Sequence, residues 1–159
     1  MKTTTLLFAA LLFTLTAFAQ DAKQPKIKQN MYVNINIDII YKDKAGNDLL
    51  DSSNATHFSA NDITIYNMEK GEKVKVNKPL MDHPNNHYIY KDDATQTNHL
   101  RVYLETEVVL VQLNATTTDT IKCTIKKSKG NVHIEKVWYN GKLKWERGKD
   151  ASQIITIIK

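Results

Sequence analysis

The chain has 159 residues, of which 42% are hydrophobic and 25% charged, with a net charge of +5 and a single cysteine. That length implies one domain able to bury roughly 70% of its unfolded surface. One thiol excludes an internal disulfide, and lysines dispersed along the chain exclude the clustered basic-aromatic footprint of a nucleic-acid binder.

In chain order, Lys2 precedes an apolar run from Leu6 to Leu15 and then Ala17-Phe18-Ala19. A positive start, an apolar middle and a small-x-small close make a secretory signal cleaved after Ala19. The run is too short for a membrane span of ~20 residues. Gln20 stands where a lipoprotein would carry its acylated cysteine, so the mature chain is expected to be periplasmic or secreted, without a lipid anchor. Loss of the leader, whose only charge is Lys2, lowers the net charge to +4. Residues 20–30, polar and lysine-rich with Pro25, read as a flexible lead-in, and 31–159 as a single β domain.

Period-2 alternation dominates from there on. Tyr32 to Tyr41 reads as one strand, with Val33, Ile35, Ile37 and Ile39 inward and Asn34, Asn36 and Asp38 toward water. Asp43 to Asn47 is a turn, and Asp51 to His57 could hold one helical turn. Ile63–Met68 and Lys73–Asn77 are strands, Pro79–Asn86 a loop, and Tyr88–Lys91 a short strand. Leu100–Leu113 is a long β-branched strand with a bend expected near Val108-Val109. Ile154–Ile158, apolar on both faces, is expected to be central or covered.

The last third permits a register. Asn140-Gly141 is a two-residue hairpin turn, placing Trp138 opposite Leu143 and Lys136 opposite Trp145. The turn at Ser128–Asn131 places Ile125 opposite Ile134, Cys123 opposite Lys136 and Ile121 opposite Trp138. Both registers put Ile121, Cys123, Ile125, Val132, Ile134, Trp138, Leu143 and Trp145 on one face. About eight or nine strands of ordinary length fit an antiparallel β-sandwich of immunoglobulin or transthyretin type. A closed lipocalin-like barrel is the alternative.

On that face Lys136 is an anomaly, because a buried ammonium is costly unless paired. It is either a rim lysine packing its stem on Trp145 or an amine lining a ligand pocket with Trp138 and Trp145. These three are the candidate ligand-binding residues, with burial the ordinary fate of both tryptophans. His83 and His87 have metal-ligand spacing only on a helix, and Pro84 makes the segment a loop. Asp43, Asn47 and Asp48 lack the pattern of a calcium loop. Glu105 and Glu107, two apart beside Tyr103, read as a solvated strand face. Ser52, Ser53 and Ser59 lack the context of a nucleophile, and Cys123 reads as a buried, inert thiol. No catalytic residue, metal or cofactor is expected.

The run from Asp43 to Asp51, with Asp62-Ile63-Thr64-Ile65-Tyr66, Asp119-Thr120-Ile121 and the Trp138–Lys142 hairpin, resembles small exported bacterial β-sandwich proteins of unknown function. The resemblance implies a sandwich fold and an envelope location, and brings no catalytic residue. Many such proteins are lipid-anchored, from which Gln20 departs. The expected function is an uncharacterised, non-enzymatic binding module that engages an envelope protein or a glycan through loops. A lipocalin-like carrier of an apolar ligand is second, and an enzyme without a recognisable motif third.

Overall fold

The computed structural model describes residues 32–159, so the expected signal peptide and lead-in lie outside the described residues. Eleven strands and no helix are present there: β1 (Tyr32–Asn34), β2 (Asn36–Lys42), β3 (Thr64–Glu69), β4 (Glu72–Lys75), β5 (His87–Lys91), β6 (Asn98–Tyr103), β7 (Val108–Gln112), β8 (Thr118–Ser128), β9 (Asn131–Tyr139), β10 (Lys142–Glu146) and β11 (Ile154–Ile158). They form two sheets. A seven-stranded sheet runs β1-β9-β8-β7-β3-β4, with β10 also on β9, and a four-stranded sheet runs β11-β2-β6-β5.

The alternation read from the sequence explains the sandwich. Ile37, Ile39, Tyr41, Leu100 and Val102 of the smaller sheet meet Ile65, Val109, Val111, Ile121 and Val137 of the larger one in a single buried core. Neither sheet closes on itself, so the barrel alternative is set aside. The expectation of a purely antiparallel sandwich is also corrected. β1 runs parallel to β9, and β11 parallel to β2.

Two expected strands each divide between the sheets. Tyr32–Tyr41 breaks at Ile35, which sends β1 to one sheet and β2 to the other, and leaves Val33 48% exposed rather than in the core. Leu100–Leu113 breaks over 104–107, earlier than Val108-Val109, between β6 and β7. The crossings lie side by side, with Leu104 N donating to Ile35 O at 2.7 Å. Strands that switch sheets make corners, and this corner forms one wall of the cleft described below. Asp51 to His57 contains turns and no helix.

The β8-β9-β10 meander corrects the register at two places. Asn140 and Gly141 take φ of 47° and 78°, as the two-residue hairpin turn requires. Trp138 opposite Leu143 and Ile125 opposite Ile134 are as expected. One register shift falls between Thr124 and Ile125 and another between Leu143 and Trp145, so Cys123 faces Val137, Ile121 faces Tyr139 and Lys136 faces Glu146. An extra residue on one strand flips the alternation beyond it. Val137 and Tyr139 therefore enter the core, while Lys136, Trp138 and Leu143 turn outward. The buried lysine disappears with the regular register that implied it.

Ile154–Ile158 is an edge strand, not a central one. It pairs with β2 alone, leaving Ile154 and Ile158 37% and 58% exposed. Just beyond it, Lys159 Nζ lies 2.7 and 2.5 Å from the two oxygens of buried Asp119. Asp119 also accepts from Tyr139 Oη and, at 2.7 Å, from Asn140 Nδ2. Tyr139 Oη is in turn 3.0 Å from Tyr41 Oη. This chain of polar groups ties both sheets together inside the core.

Candidate functional site

The three residues singled out from the sequence do not form one site. Trp145 is buried at 3% exposure, with the Arg147 guanidinium 5.6 Å from its ring centre. Lys136 and Trp138 lie on the opposite, outer face, where Lys136 Nζ is 3.1 Å from Glu146 Oε1. Cys123 is buried beside the Thr106 carbonyl, and burial with the nearby Glu107 charge pushes its thiol up to about 12. Asp43 accepts from the backbone and side chain of Asn47, and Asp48 from Leu50 and Asn98. Asp43 is spent on turn geometry, and Asp48 both caps its own turn and ties it to the start of β6 at Asn98.

A different cluster stands on the outer face of the four-stranded sheet. Pairing of β2, β6 and β5 sets Asp38 beside Arg101 and Arg101 beside Tyr88. Arg101 Nε and one terminal nitrogen each reach an oxygen of Asp38 at 2.7 Å, a two-pronged pair. Tyr90 Oη donates to Asp38 at 2.8 Å, and Arg101 donates to Tyr88 Oη at 3.1 Å. The Arg101 guanidinium lies 5.1 Å from the Tyr90 ring centre. Asp38 was expected to face water, yet it is only 5% exposed. Burial, followed by the Asp38 contact, pushes the Tyr90 phenol up to about 12, and Asp38 raises the Arg101 guanidinium further.

Aromatic rings extend this cluster to the sheet corner. His83, in the Pro79–Asn86 loop, stacks on Tyr88 with centres 4.0 Å apart and planes 16° apart. It faces Tyr103 at 6.0 Å. Beside Tyr103 opens a cleft of about 370 Å³, with Val33, Ile35 and Met81 as apolar wall and His83, Asn36, Asn86, Asp82 and Glu105 around it. A mostly apolar recess with a few convergent polar groups is the usual form of a small-molecule site.

The loop is tied down. Lys78 N donates to Pro84 O at 2.7 Å, and Tyr103 N to Asn86 O at 3.0 Å. Asn86 takes the left-handed φ of 55° that asparagine tolerates. It is 5% exposed, and its Nδ2 makes no hydrogen bond of ordinary geometry among the described residues. Lys78 forms an ion pair with Glu105. Burial raises the Glu105 carboxyl, but Lys78 and the neighbouring amides outweigh it and hold the group below its usual range.

His87 follows this loop, and burial lowers its pKa below the ordinary value of 6.5. A histidine whose folded pKa is depressed is held neutral, so its contribution is complete above pH ~6.5 and is lost as pH falls through the folded value. Urea melts across pH 5 to 7.5 are expected to show stability falling on acidification. Replacing His87 by glutamine is expected to flatten that slope, and an unchanged slope would contradict the assignment.

Sequence reading missed this cluster, although two signals were present. Asp38 is the one charge on the outward face of the Asn34-Asn36-Asp38-Ile40 row, and Tyr88-Ile89-Tyr90 sets two phenols on one face of a short strand. The third part, the loop that brings His83 and Asn86 to the corner, has no periodicity to read. Among the described residues, no helix is long and apolar enough to cross a membrane. No family model matches the chain, and no curated protein or solved structure is significantly similar to it.

Proposed function

We propose that this protein is an exported binding module that holds a sugar residue of a glycan in the cleft beside Tyr103. The observation that carries this reading is the ring pair His83 and Tyr103 next to the buried amide of Asn86 and the Glu105 carboxylate. A pyranose has an apolar face of C–H groups and a rim of hydroxyls. The first suits an aromatic ring, and the second suits amides and a carboxylate such as Asn36, Asn86 and Glu105. The bidentate Asp38–Arg101 pair underneath holds the tyrosines in place, so the site is largely formed before the ligand arrives. Export rests on the leader pattern of Met1 to Ala19, and an untethered mature chain on Gln20.

Calorimetric titration against methyl glycosides of glucose, galactose, mannose and N-acetylglucosamine tests the reading. One class is expected to bind, and Tyr103→Ala is expected to weaken it by about tenfold or more, the equivalent of ~1.4 kcal/mol. Equal affinity in Tyr103→Ala, or no binding across the panel, would overturn the reading.

A further inference from the structure

The other outer face of the sandwich carries a surface that the cleft does not use. Strand pairing on the seven-stranded sheet sets Leu143 beside Trp138, Trp138 beside Lys122, and Lys122 beside Val108. In the adjacent row Lys75 is beside Tyr66 and Tyr66 beside Leu110. Lys73, paired with Met68, holds its Nζ 3.8 Å over the Tyr66 ring. Val108 and Leu110 lie two apart on β7, so the rows join into one patch of rings and aliphatic side chains, with Lys122 inside it and Lys73 and Lys75 along its β4 edge.

The positive charge there is not answered by the protein itself. Lys73, Lys75 and Lys122 take part in no ion pair among the described residues. From Thr118 to Glu146 the chain has seven lysines against three acids. Of those acids, Asp119 is buried against Lys159 and Glu146 is paired with Lys136. Dispersed in sequence, Lys73 and Lys75 on β4 and Lys122 on β8 are brought to one face by the β4-β3-β7-β8 pairing.

We propose that this face binds an acidic polysaccharide laid across the strands, with a sugar ring on Trp138 and its carboxylates against Lys122 and against Lys73 and Lys75 beside Tyr66. Charge complementarity selects a polyanion. The open sheet face and its rings select an extended chain of sugars. Trp138, Tyr66, Val108 and Leu110 are partly buried, and Leu143 alone of the patch's apolar side chains stands exposed among the lysines, too little apolar surface to enter a bilayer. The chain's two arginines are both engaged, Arg101 by Asp38 and Arg147 by the Ile134 carbonyl. The face therefore lacks the guanidinium forks that grip phosphates in two-pronged fashion.

Sodium polygalacturonate is the test ligand, with neutral dextran, phosphatidylglycerol vesicles and a single-stranded oligodeoxynucleotide as competitors. Polygalacturonate is expected to change the tryptophan fluorescence, and the affinity to fall as salt rises. Trp138→Phe is expected to remove the signal, because Trp145 is buried. The double reversal Lys73→Glu, Lys122→Glu is expected to weaken binding about tenfold or more with an unchanged thermal melt, and the milder Lys122→Gln to weaken it in part. Tyr103→Ala in the cleft is expected to leave it unaltered, so this surface and the cleft succeed or fail separately. Absence of binding, indifference to the charge reversals, or equal binding to dextran, vesicles or the oligonucleotide would overturn the proposal.

Discussion

Replacing Asp119 by alanine is expected to lower the unfolding free energy by about 3 kcal/mol, and by as much as ~5 kcal/mol. Asp119 is 3% exposed and is the common acceptor for Lys159, Tyr139 and Asn140. Its removal leaves one ammonium, one phenol and one amide without their partner. Each buried orphan costs ~1–3 kcal/mol. The Lys159 side chain is 24% exposed and recovers part of its loss in water, which favours the lower figure. Against a total stability of ~5–15 kcal/mol that is a large fraction. The Tm should fall by roughly 10 °C for a domain of this size. Urea unfolding followed by the buried Trp145 measures it. Lys159→Met in the Asp119→Ala background is expected to regain part of the loss, because the orphaned charge is then gone. A loss below ~1 kcal/mol would mean that this network contributes little.

The second large effect lies at Asp38. Asp38→Ala is expected to cost about 2–3 kcal/mol, because the Arg101 guanidinium and Tyr90 phenol lose their shared acceptor. The Arg101 side chain is 30% exposed, so solvent screens it and the cost stays below that of a fully buried pair. Arg101→Met strands a carboxylate that is only 7% exposed, and is expected to cost at least as much. The double variant Asp38→Leu, Arg101→Met is expected to recover most of the stability, as buried pairs replaced by apolar groups often do. It should not recover glycoside binding, because the pair also fixes Tyr88, on which His83 stacks. Stability regained without affinity separates the positioning role from the structural one. Recovery of both would show that the pair is dispensable to the cleft.

The fold class was legible because alternation is imposed by burial. Ile37, Ile39 and Tyr41, and likewise Val109 and Val111, face the core as the period-2 pattern requires. What escaped is where the period breaks. On β9 the apolar parity switches from Ile134 to Val137 and Tyr139 across Glu135-Lys136. A strict alternation has no room for that switch, and a bulge does. Lys136 therefore read as a lysine on the apolar face, at its rim or lining a pocket, when it lies on the outer face paired with Glu146. Sheet assignment was hidden for a similar reason, since Ile35 and the 104–107 segment are apolar or extended enough to pass as strand interior. Ile154–Ile158 misled because an edge strand can also be apolar on both faces. The cleft depends on that corner and on a loop held by Asn86 at positive φ, and neither leaves a periodic trace.

The charged cluster was only half visible. Asp38 and Arg101 lie 63 residues apart and meet through the β2–β6 register, which depends on the crossing at Ile35. The lysines of the other face were each counted as solvated, and it is the β4-β3-β7-β8 pairing that brings Lys73, Lys75 and Lys122 to one face. Both surfaces are products of tertiary pairing acting on residues that are unremarkable one at a time.

The proposed recognition site is the corner beside Tyr103. A ¹⁵N-labelled sample titrated with the methyl glycoside that binds, and followed by amide chemical shifts, tests this most directly. Shifts concentrated at Asn36, His83, Asn86, Tyr103 and Glu105, and lost in Tyr103→Ala, are the predicted result. Shifts confined to the seven-stranded sheet or to the Asp51–Asn61 loops, with that corner unmoved, would contradict it.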